Sequence, residues 1–268
     1  MSNILEVKNL TKKFKDFTAV NSISFSIKKG EIFGLVGPNG AGKTTTIKIL
    51  STLLPPTSGK ASIGGFNVSK DAPKVRRLIG YVPQLLSADG SLTGYENLLV
   101  FAKLYDIPAD EREKRIKDSL HFMGLSDSAD KMVRQYSGGM IRRLEIAQAV
   151  LHHPLILFLD EPTVGLDPLA REGVWDYVTQ LAESGTTILL TTHYMEEADA
   201  MCNNVAILNR GNIAAIGSPA ELKKSIGNES ANLNEVYEFY VGKSIDSEEI
   251  GGNFKDVSRT RRTAHRLG

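Results

Sequence analysis

The chain has a single cysteine, almost no net charge and no uninterrupted apolar stretch of membrane-spanning length. Cys202 alone excludes an internal disulfide framework and a cysteine-rich metal site, and suits a reducing compartment. Lys plus Arg number 32 against 31 for Asp plus Glu, so no global field favours nucleic acid as a partner. Met1 to Lys8 lacks the apolar core of a secretory signal, and no run of about 20 apolar residues is available to cross a bilayer. Any dealing with a membrane is therefore expected to go through a partner. Internal repeats and low-complexity tracts are lacking too. The rest is ordinary for a soluble globular protein, with 41% hydrophobic and 24% charged residues. The length allows one large α/β domain, or a domain plus an appendage.

Against that plain background stands Gly37-Pro38-Asn39-Gly40-Ala41-Gly42-Lys43-Thr44-Thr45, which fits the G-x-x-x-x-G-K-[ST] pattern of a phosphate-binding loop. Glu31 to Val36 before it reads as a buried parallel strand, and Thr46 to Leu54 after it as a helix. Strand, glycine loop and helix together are the context the motif needs. Glycines let backbone N–H groups curl around phosphate oxygens, and a helix N-terminus adds positive potential. Lys43 can then reach the β- and γ-phosphates of a nucleotide, and the Thr44 hydroxyl can ligate magnesium.

Ile4 to Leu10 and Val20 to Ile27 alternate apolar and polar residues, and read as an antiparallel pair beside the main sheet. Phe14 and Phe17, in the basic loop between them, either stack on a flat base or plug the sheet edge, and spacing favours the plug. Lys60 to Val68 reads as a short β segment turning at Gly64-Gly65, and Asp71 to Leu78 as a helix. Ile79 to Val82 reads as a strand that places Gln84 on a loop able to reach a metal or water. Thr93 to Gly124 has the texture of amphipathic helices, with a charge-dense, solvated face at Asp110 to Asp118. Ser137-Gly138-Gly139 caps a helix over Met140 to His152, either as a plain cap or as an anion site.

Leu155 to Leu159 is five apolar residues in a row, the mark of a strand buried on both faces, and it ends in Asp160-Glu161. Neighbouring strand residues point to opposite sides, so the two carboxylates have different tasks. Asp160 suits magnesium, and Glu161 suits orienting or deprotonating an attacking water. Pro168 to Glu183 reads as a helix, and Thr186 to Thr192 as the strand that delivers His193. That histidine is either structural or a γ-phosphate contact. Asn204 to Leu208 and Asn212 to Ile216 form a closing hairpin across Arg210-Gly211.

Taken in order, these residues resemble the nucleotide-binding subunit of an ATP-binding-cassette (ABC) transporter over roughly Ile4 to Ser225. Gly37 to Thr45 matches that family's P-loop and Gln84 its Q-loop. Tyr136 to Met140 matches the LSGGQ signature, with Tyr136 for the usual Leu and Met140 for the usual Gln. Leu155 to Glu161 matches the Walker B strand, Gly165-Leu166-Asp167 the D-loop, and His193 the switch histidine. Phe14 falls where the family has an adenine-stacking aromatic, usually Tyr, which makes it a nucleotide contact. The YSGGM variant, followed by Arg142-Arg143-Leu144, is similar to the drug-exporter-like branch of daunorubicin-resistance type.

The resemblance implies an α/β fold with a P-loop NTPase core, a mainly parallel sheet, an antiparallel β subdomain and an inserted helical subdomain at about 85–150. The ATPase domain would span 1–227, and 228–268 would add a short helix, with Leu233, Val236, Tyr237 and Tyr240 at helical spacing, and a basic tail. It implies ATP and Mg2+ as cofactors, with Thr44, Gln84 and Asp160 around the metal. Glu161, His193, Gln84 and Lys43 would be catalytic. Gly37 to Thr45, Phe14, Ser137, Gly138, Gly139 and Asp167 would bind nucleotide. Implied partners are a second copy or paralogue and an integral membrane permease, with no nucleic acid, at the cytoplasmic face of the cell membrane. Transport would be export, by similarity. A soluble cassette ATPase of DNA repair or translation is the alternative. Repair types carry a long coiled-coil insertion and translation types two cassettes, and neither is present. A P-loop module of another class would leave the ordered Gln, signature, Asp-Glu and His set unexplained. In the tail, Lys255, Arg259, Arg261, Arg262 and Arg266 face only Asp256. That composition reads first as a solvated tail, and second as a contact for anionic headgroups.

Overall fold

A computed structural model describes residues 3–249. In chain order, Asn3–Phe14 (β1) and Phe17–Lys28 (β2) lead into Ile32–Val36 (β3) and Lys43–Leu50 (α1). Ser58–Ile63 (β4), Phe66–Asn67 (β5), Ala72–Leu78 (α2) and Ile79–Val82 (β6) follow. Gly94–Leu104 (α3), Ala109–Phe122 (α4) and Gly138–Val150 (α5) separate β6 from Ile156–Asp160 (β7). Then come Pro168–Glu183 (α6), Thr187–Thr192 (β8), Met195–Met201 (α7), Asn204–Asn209 (β9), Asn212–Gly217 (β10), Pro219–Ser225 (α8) and Leu233–Glu249 (α9).

The strands sort into two sheets. One has six strands in the order β10-β9-β3-β8-β7-β6, all parallel except β10, which returns antiparallel on β9. The other is antiparallel, in the order β2-β1-β4-β5. The continuous apolar runs follow from a sheet covered on both faces. Leu157, Leu159, Ile188, Leu190, Val205 and Ile207 point into the core shared with α5, α6 and α7. Their neighbours Ile156, Phe158, Leu189, Ala206 and Leu208 point the other way, onto α1 and the antiparallel sheet. A slip of one residue in any of these strands would exchange the two sets.

Most expected elements are found, with shifted ends at two helices. The helix after the phosphate loop begins at Lys43 and stops at Leu50, not Leu54. Thr52 sits at φ 65°, a left-handed turn that no α-helix can pass through. The helix after Ser137 runs from Gly138 to Val150 and is not delayed to Met140. Ser137 caps it directly, its hydroxyl accepting the Met140 N–H at 3.3 Å. Two short helices, α7 and α8, were not expected. A capping box marks α8: Ser218 and Glu221 exchange bonds with each other's backbone N–H. Leu233 and Val236 of α9 are buried as their helical spacing predicts, with Tyr237 and Tyr240 packed against the same core. The basic segment 253–268 lies outside the described residues.

Phe14 and Phe17 do not plug the sheet. They face each other across the Lys15-Asp16 turn of the β1–β2 hairpin, 45% and 63% exposed. The Lys12 ammonium lies 5.1 Å from the Phe14 ring centroid. A ring left this open is free to take a planar partner.

Candidate nucleotide and catalytic site

The carboxyl ends of β3, β8, β7 and β6 lie along one edge of the parallel sheet, where open α/β sheets place their ligands. Each strand delivers a residue singled out above. β3 runs into the loop Gly37 to Gly42, β8 leads to His193, β7 ends at Asp160 with Glu161 next, and β6 leads through Pro83 to Gln84.

The loop closes on α1 through glycine. Gly42, the residue before α1, sits at φ 105°, and a Cβ there would come within 2.5 Å of the Ala19 carbonyl oxygen. Any side chain would thus strain the backbone and push β2 away. The first-turn N–H groups of α1 precede any intrahelical acceptor except at Thr46, which bonds Gly42 O at 2.9 Å. Such a terminus is built to meet an anion. The Lys43 ammonium has three N–H groups and three acceptors. It donates to Gly37 O at 2.7 Å and Pro38 O at 3.1 Å, and it pairs with Glu161 Oε1 at 3.1 Å. Reaching a phosphate oxygen means exchanging one of these.

Asp160 and Glu161 diverge as strand geometry requires. Asp160 is buried, its Oδ1 accepting from the Thr44 hydroxyl at 3.0 Å and the Thr191 hydroxyl at 2.7 Å. Burial pushes its carboxyl above the ordinary carboxylate range, and the two hydroxyl bonds work against that. Burial, with the Asp160 charge adding to it, pushes the Tyr81 hydroxyl up to about 12. Asp160 Oδ2 is buried without a hydrogen-bond partner. A carboxylate oxygen in that condition beside a threonine hydroxyl fits a cation. One carboxylate and one hydroxyl are the donor set of a hard cation that takes its remaining ligands from phosphates and water.

Glu161 leaves the strand at φ 49°, an αL conformation costing about 1–3 kcal/mol for a residue with a side chain. Two bonds on its N–H help to offset this: Thr191 Oγ1 at 2.9 Å and Thr191 O at 3.2 Å. The turn aims the carboxylate at three candidates at once. Beyond Lys43, Gln84 Nε2 donates to Oε2 at 3.2 Å, and His193 Nδ1 lies 3.3 Å from the same oxygen without the alignment of a hydrogen bond.

Lys43, Thr44, Gln84, Asp160, Glu161 and His193 are therefore one cluster. Phe14, Ser137, Gly138, Gly139 and Asp167 are outside its hydrogen bonds and ion pairs among the described residues. Ser137 and Gly138 lie exposed at the start of α5, and Ser137 and Gly139 share a surface depression with Asp167 and Ala170. A Cβ at Gly139 would meet the Ala170 Cβ at 2.9 Å, so the glycine lets α5 and α6 close together. The Asp167 carboxylate caps α6, accepting the Ala170 N–H at 3.0 Å.

Two groups at the site escaped the sequence reading. Thr191 holds Asp160 with its hydroxyl and Glu161 with the same oxygen. Glu197 of α7, also buried, accepts from the Thr163 hydroxyl at 2.7 Å and the Thr192 hydroxyl at 2.9 Å, tying the segment after Glu161 to the one before His193. In sequence, both look like ordinary residues of a strand and a helix.

A glycine loop between strand and helix, with an acidic strand two places away in the sheet, defines a P-loop nucleotide-binding core. The chain belongs to the ABC transporter family, whose model matches residues 20–164. It is similar to the linearmycin resistance ATP-binding protein LnrL of Bacillus subtilis (strain 168), with 41% identity over 87% of this chain and 77% of that one. It is likewise 41% identical to the daunorubicin/doxorubicin resistance ATP-binding protein DrrA of Streptomyces peucetius, over 85% of this chain and 69% of that one. Among solved structures, an ATP-binding subunit of an ABC transporter superposes with a TM-score of 0.80 at 31% identity, covering 89% of this chain and 99% of the other. The chain is an ATP-binding subunit of this family, an ATPase coupled to transport, rather than a repair or translation ATPase. No helix among the described residues is long and apolar enough to cross a membrane.

Proposed function

We propose that this subunit powers export through a separate membrane permease, by hydrolysing ATP at an interface between two copies of itself or with a paralogue, at the cytoplasmic face of the membrane. The observation that carries the chemistry is the single carboxylate of Glu161, which meets Lys43, Gln84 and His193. Export rests on similarity to resistance proteins, and the permease selects the cargo. Residues 1–227 form the ATPase unit, with 85–150 as the lever toward the permease, and 228–268 its C-terminal appendage.

In this reading Phe14 stacks on adenine. The loop from Gly37 to Gly42 and the first N–H groups of α1, at Lys43, Thr44 and Thr45, cradle the phosphates. Lys43 exchanges a loop carbonyl for a phosphate oxygen. Glu161 takes a proton from water as the water oxygen bonds to the γ-phosphorus and the bridging Pγ–O bond breaks, leaving ADP and phosphate. Gln84 and His193 fix the Glu161 carboxylate and the water. Thr44, Asp160 and Gln84 would hold Mg2+, which supplies charge neutralisation on the phosphate oxygens. Ser137, Gly138 and Gly139 of one copy face the γ-phosphate held by the other, with Asp167 at the same seam. ATP closes the pair of subunits, and loss of the γ-phosphate opens it.

The test is Glu161→Gln. It is expected to retain ATP, lower turnover by at least ~100-fold, the scale of losing a general base, and elute as an ATP-dependent dimer on size exclusion. Turnover close to that of the native chain would overturn the assignment.

A further inference from the structure

Three polar residues at positions i, i+3 and i+6 on α5, namely Arg142, Glu145 and Gln148, are each only 2% exposed. A helix face of that kind normally meets solvent. Here it meets the backbone of the segment 83–89 instead. Arg142 Nη1 donates to Pro83 O at 2.7 Å, and Nη2 donates to Gln84 O at 2.9 Å. Glu145 Oε2 accepts from Arg142 Nη1 at 3.0 Å. Its other oxygen accepts from the Ser87 N–H, from the Ser87 hydroxyl at 3.1 Å and from the Ala88 N–H at 3.3 Å. Gln148 donates to Asn97 Oδ1 at 3.2 Å, and Asn97 brackets Asp89 by accepting its N–H at 3.0 Å and donating to its carbonyl at 2.9 Å.

An ion pair in this position is poor value as a source of stability, because desolvating two charges consumes most of the attraction. Two apolar residues could fill the same space without a buried charge, but would leave four backbone groups of the loop without these partners. What an apolar pair cannot do is grip two carbonyls and two N–H groups of a loop. The Arg142–Glu145 pair fixes the backbone beside Gln84 from both its donor and acceptor sides, as Asn97 does further on at Asp89. The loop it fixes carries Gln84, whose side chain meets the Glu161 carboxylate, and the helix it belongs to begins at Ser137.

We propose that Arg142 and Glu145 are positioning residues that lock the Gln84 loop to α5, so that the placement of Gln84 against Glu161 follows the movement of the Ser137 end. The clamp makes contact at Ser137 and contact at Glu161 parts of one rigid event. This rests on Gln84 taking part in hydrolysis, as set out above.

The experiment is a mutant cycle on the full chain, reading kcat and KM for ATP hydrolysis with Mg2+ present. Its arms are Gln84→Ala, the paired apolar replacement Arg142→Met with Glu145→Leu, and the combination of all three. The paired replacement leaves no orphaned buried charge, and its folding is checked by thermal melting. Its kcat is expected to fall about tenfold while KM for ATP stays within about twofold, because the phosphate cradle is untouched. The triple variant is expected to be no slower than Gln84→Ala alone. A native kcat in the paired variant, or a full tenfold further loss in the triple variant, would overturn the clamp. A native kcat for Gln84→Ala would instead sink the reading of Gln84. Hydrogen exchange on the native chain supplies a measurement independent of any variant. The Ser87 and Ala88 amides are expected to gain protection together with those of α5 when ATP is added, and free exchange at Ser87 and Ala88 beside a protected α5 would overturn the proposal.

Discussion

The Thr191 hydroxyl donates to Asp160 Oδ1 at 2.7 Å, and its oxygen accepts the N–H of Glu161 at 2.9 Å. One buried side chain on β8 thus orients both acids at the end of β7. Valine has nearly the same shape as threonine and neither bond. In Thr191→Val, Asp160 loses a donor and the αL turn at Glu161 keeps only its weaker bond to Thr191 O. Leaving such groups unsatisfied costs about 1–3 kcal/mol. The expected result is a lower melting temperature and a kcat down about tenfold, with Thr191→Ser restoring most of both. A native kcat in Thr191→Val would show that the turn holds without it.

Much of this site was legible before the fold was known, and what was missed has one physical cause. Lys43, Thr44, Asp160, Glu161 and His193 were readable because chemistry fixes residue type and local spacing: a loop before a helix, acids at the end of a buried strand. Thr191, Glu197, Arg142 and Glu145 act across the fold on residues 30 or more positions away or on loop backbone. Nothing local distinguishes Thr191 from the threonine after it, or Arg142 from the arginine after it. The burial of Arg142 and Glu145 even inverts the usual rule for charged helix residues. The reading of Phe14 and Phe17 as plugs of the sheet edge failed for a related reason, since spacing cannot say whether a hairpin tip is covered.

Lys43→Ala tests a double role. Lys43 is the cation of the phosphate loop, and it also neutralises Glu161, which is 5% exposed. Nucleotide affinity measured by calorimetry is expected to fall by at least about tenfold, as for loss of a charge-assisted phosphate contact. Stability at neutral pH is expected to fall as well, on the order of 1–3 kcal/mol, because the buried carboxylate loses its ionic partner. Adding Glu161→Gln to Lys43→Ala should recover part of the stability and none of the affinity. Unchanged ATP binding by folded Lys43→Ala would contradict the loop assignment.

The last prediction concerns acid. His152 Nε2 lies 3.0 Å from Ile79 O, and a carbonyl only accepts, so that nitrogen carries the proton. The ring stacks on Tyr105 at 3.7 Å between centroids, and Nδ1 is buried without a partner. Burial brings the imidazole from its ordinary value of 6.5 down to about 4. Between those two pH values the unfolded chain takes up a proton that the folded chain refuses. Stability therefore falls as pH drops from 6.5 toward 4, and this residue contributes no slope above that window. The full gap would be worth about 3 kcal/mol at 1.36 kcal/mol per pH unit, and a ring partly open to solvent keeps roughly 1–2 kcal/mol of it. Asp160 works in the opposite sense, since its raised carboxyl takes its proton sooner in the folded chain. Urea midpoints for the native chain and His152→Gln, taken at pH 7 and pH 4.5, separate the two because Asp160 is common to both. The native chain should lose about 1–2 kcal/mol more than the variant on going to pH 4.5. Equal losses would mean that the ring takes its proton in place, and the stack on Tyr105 would then have to accommodate a cation.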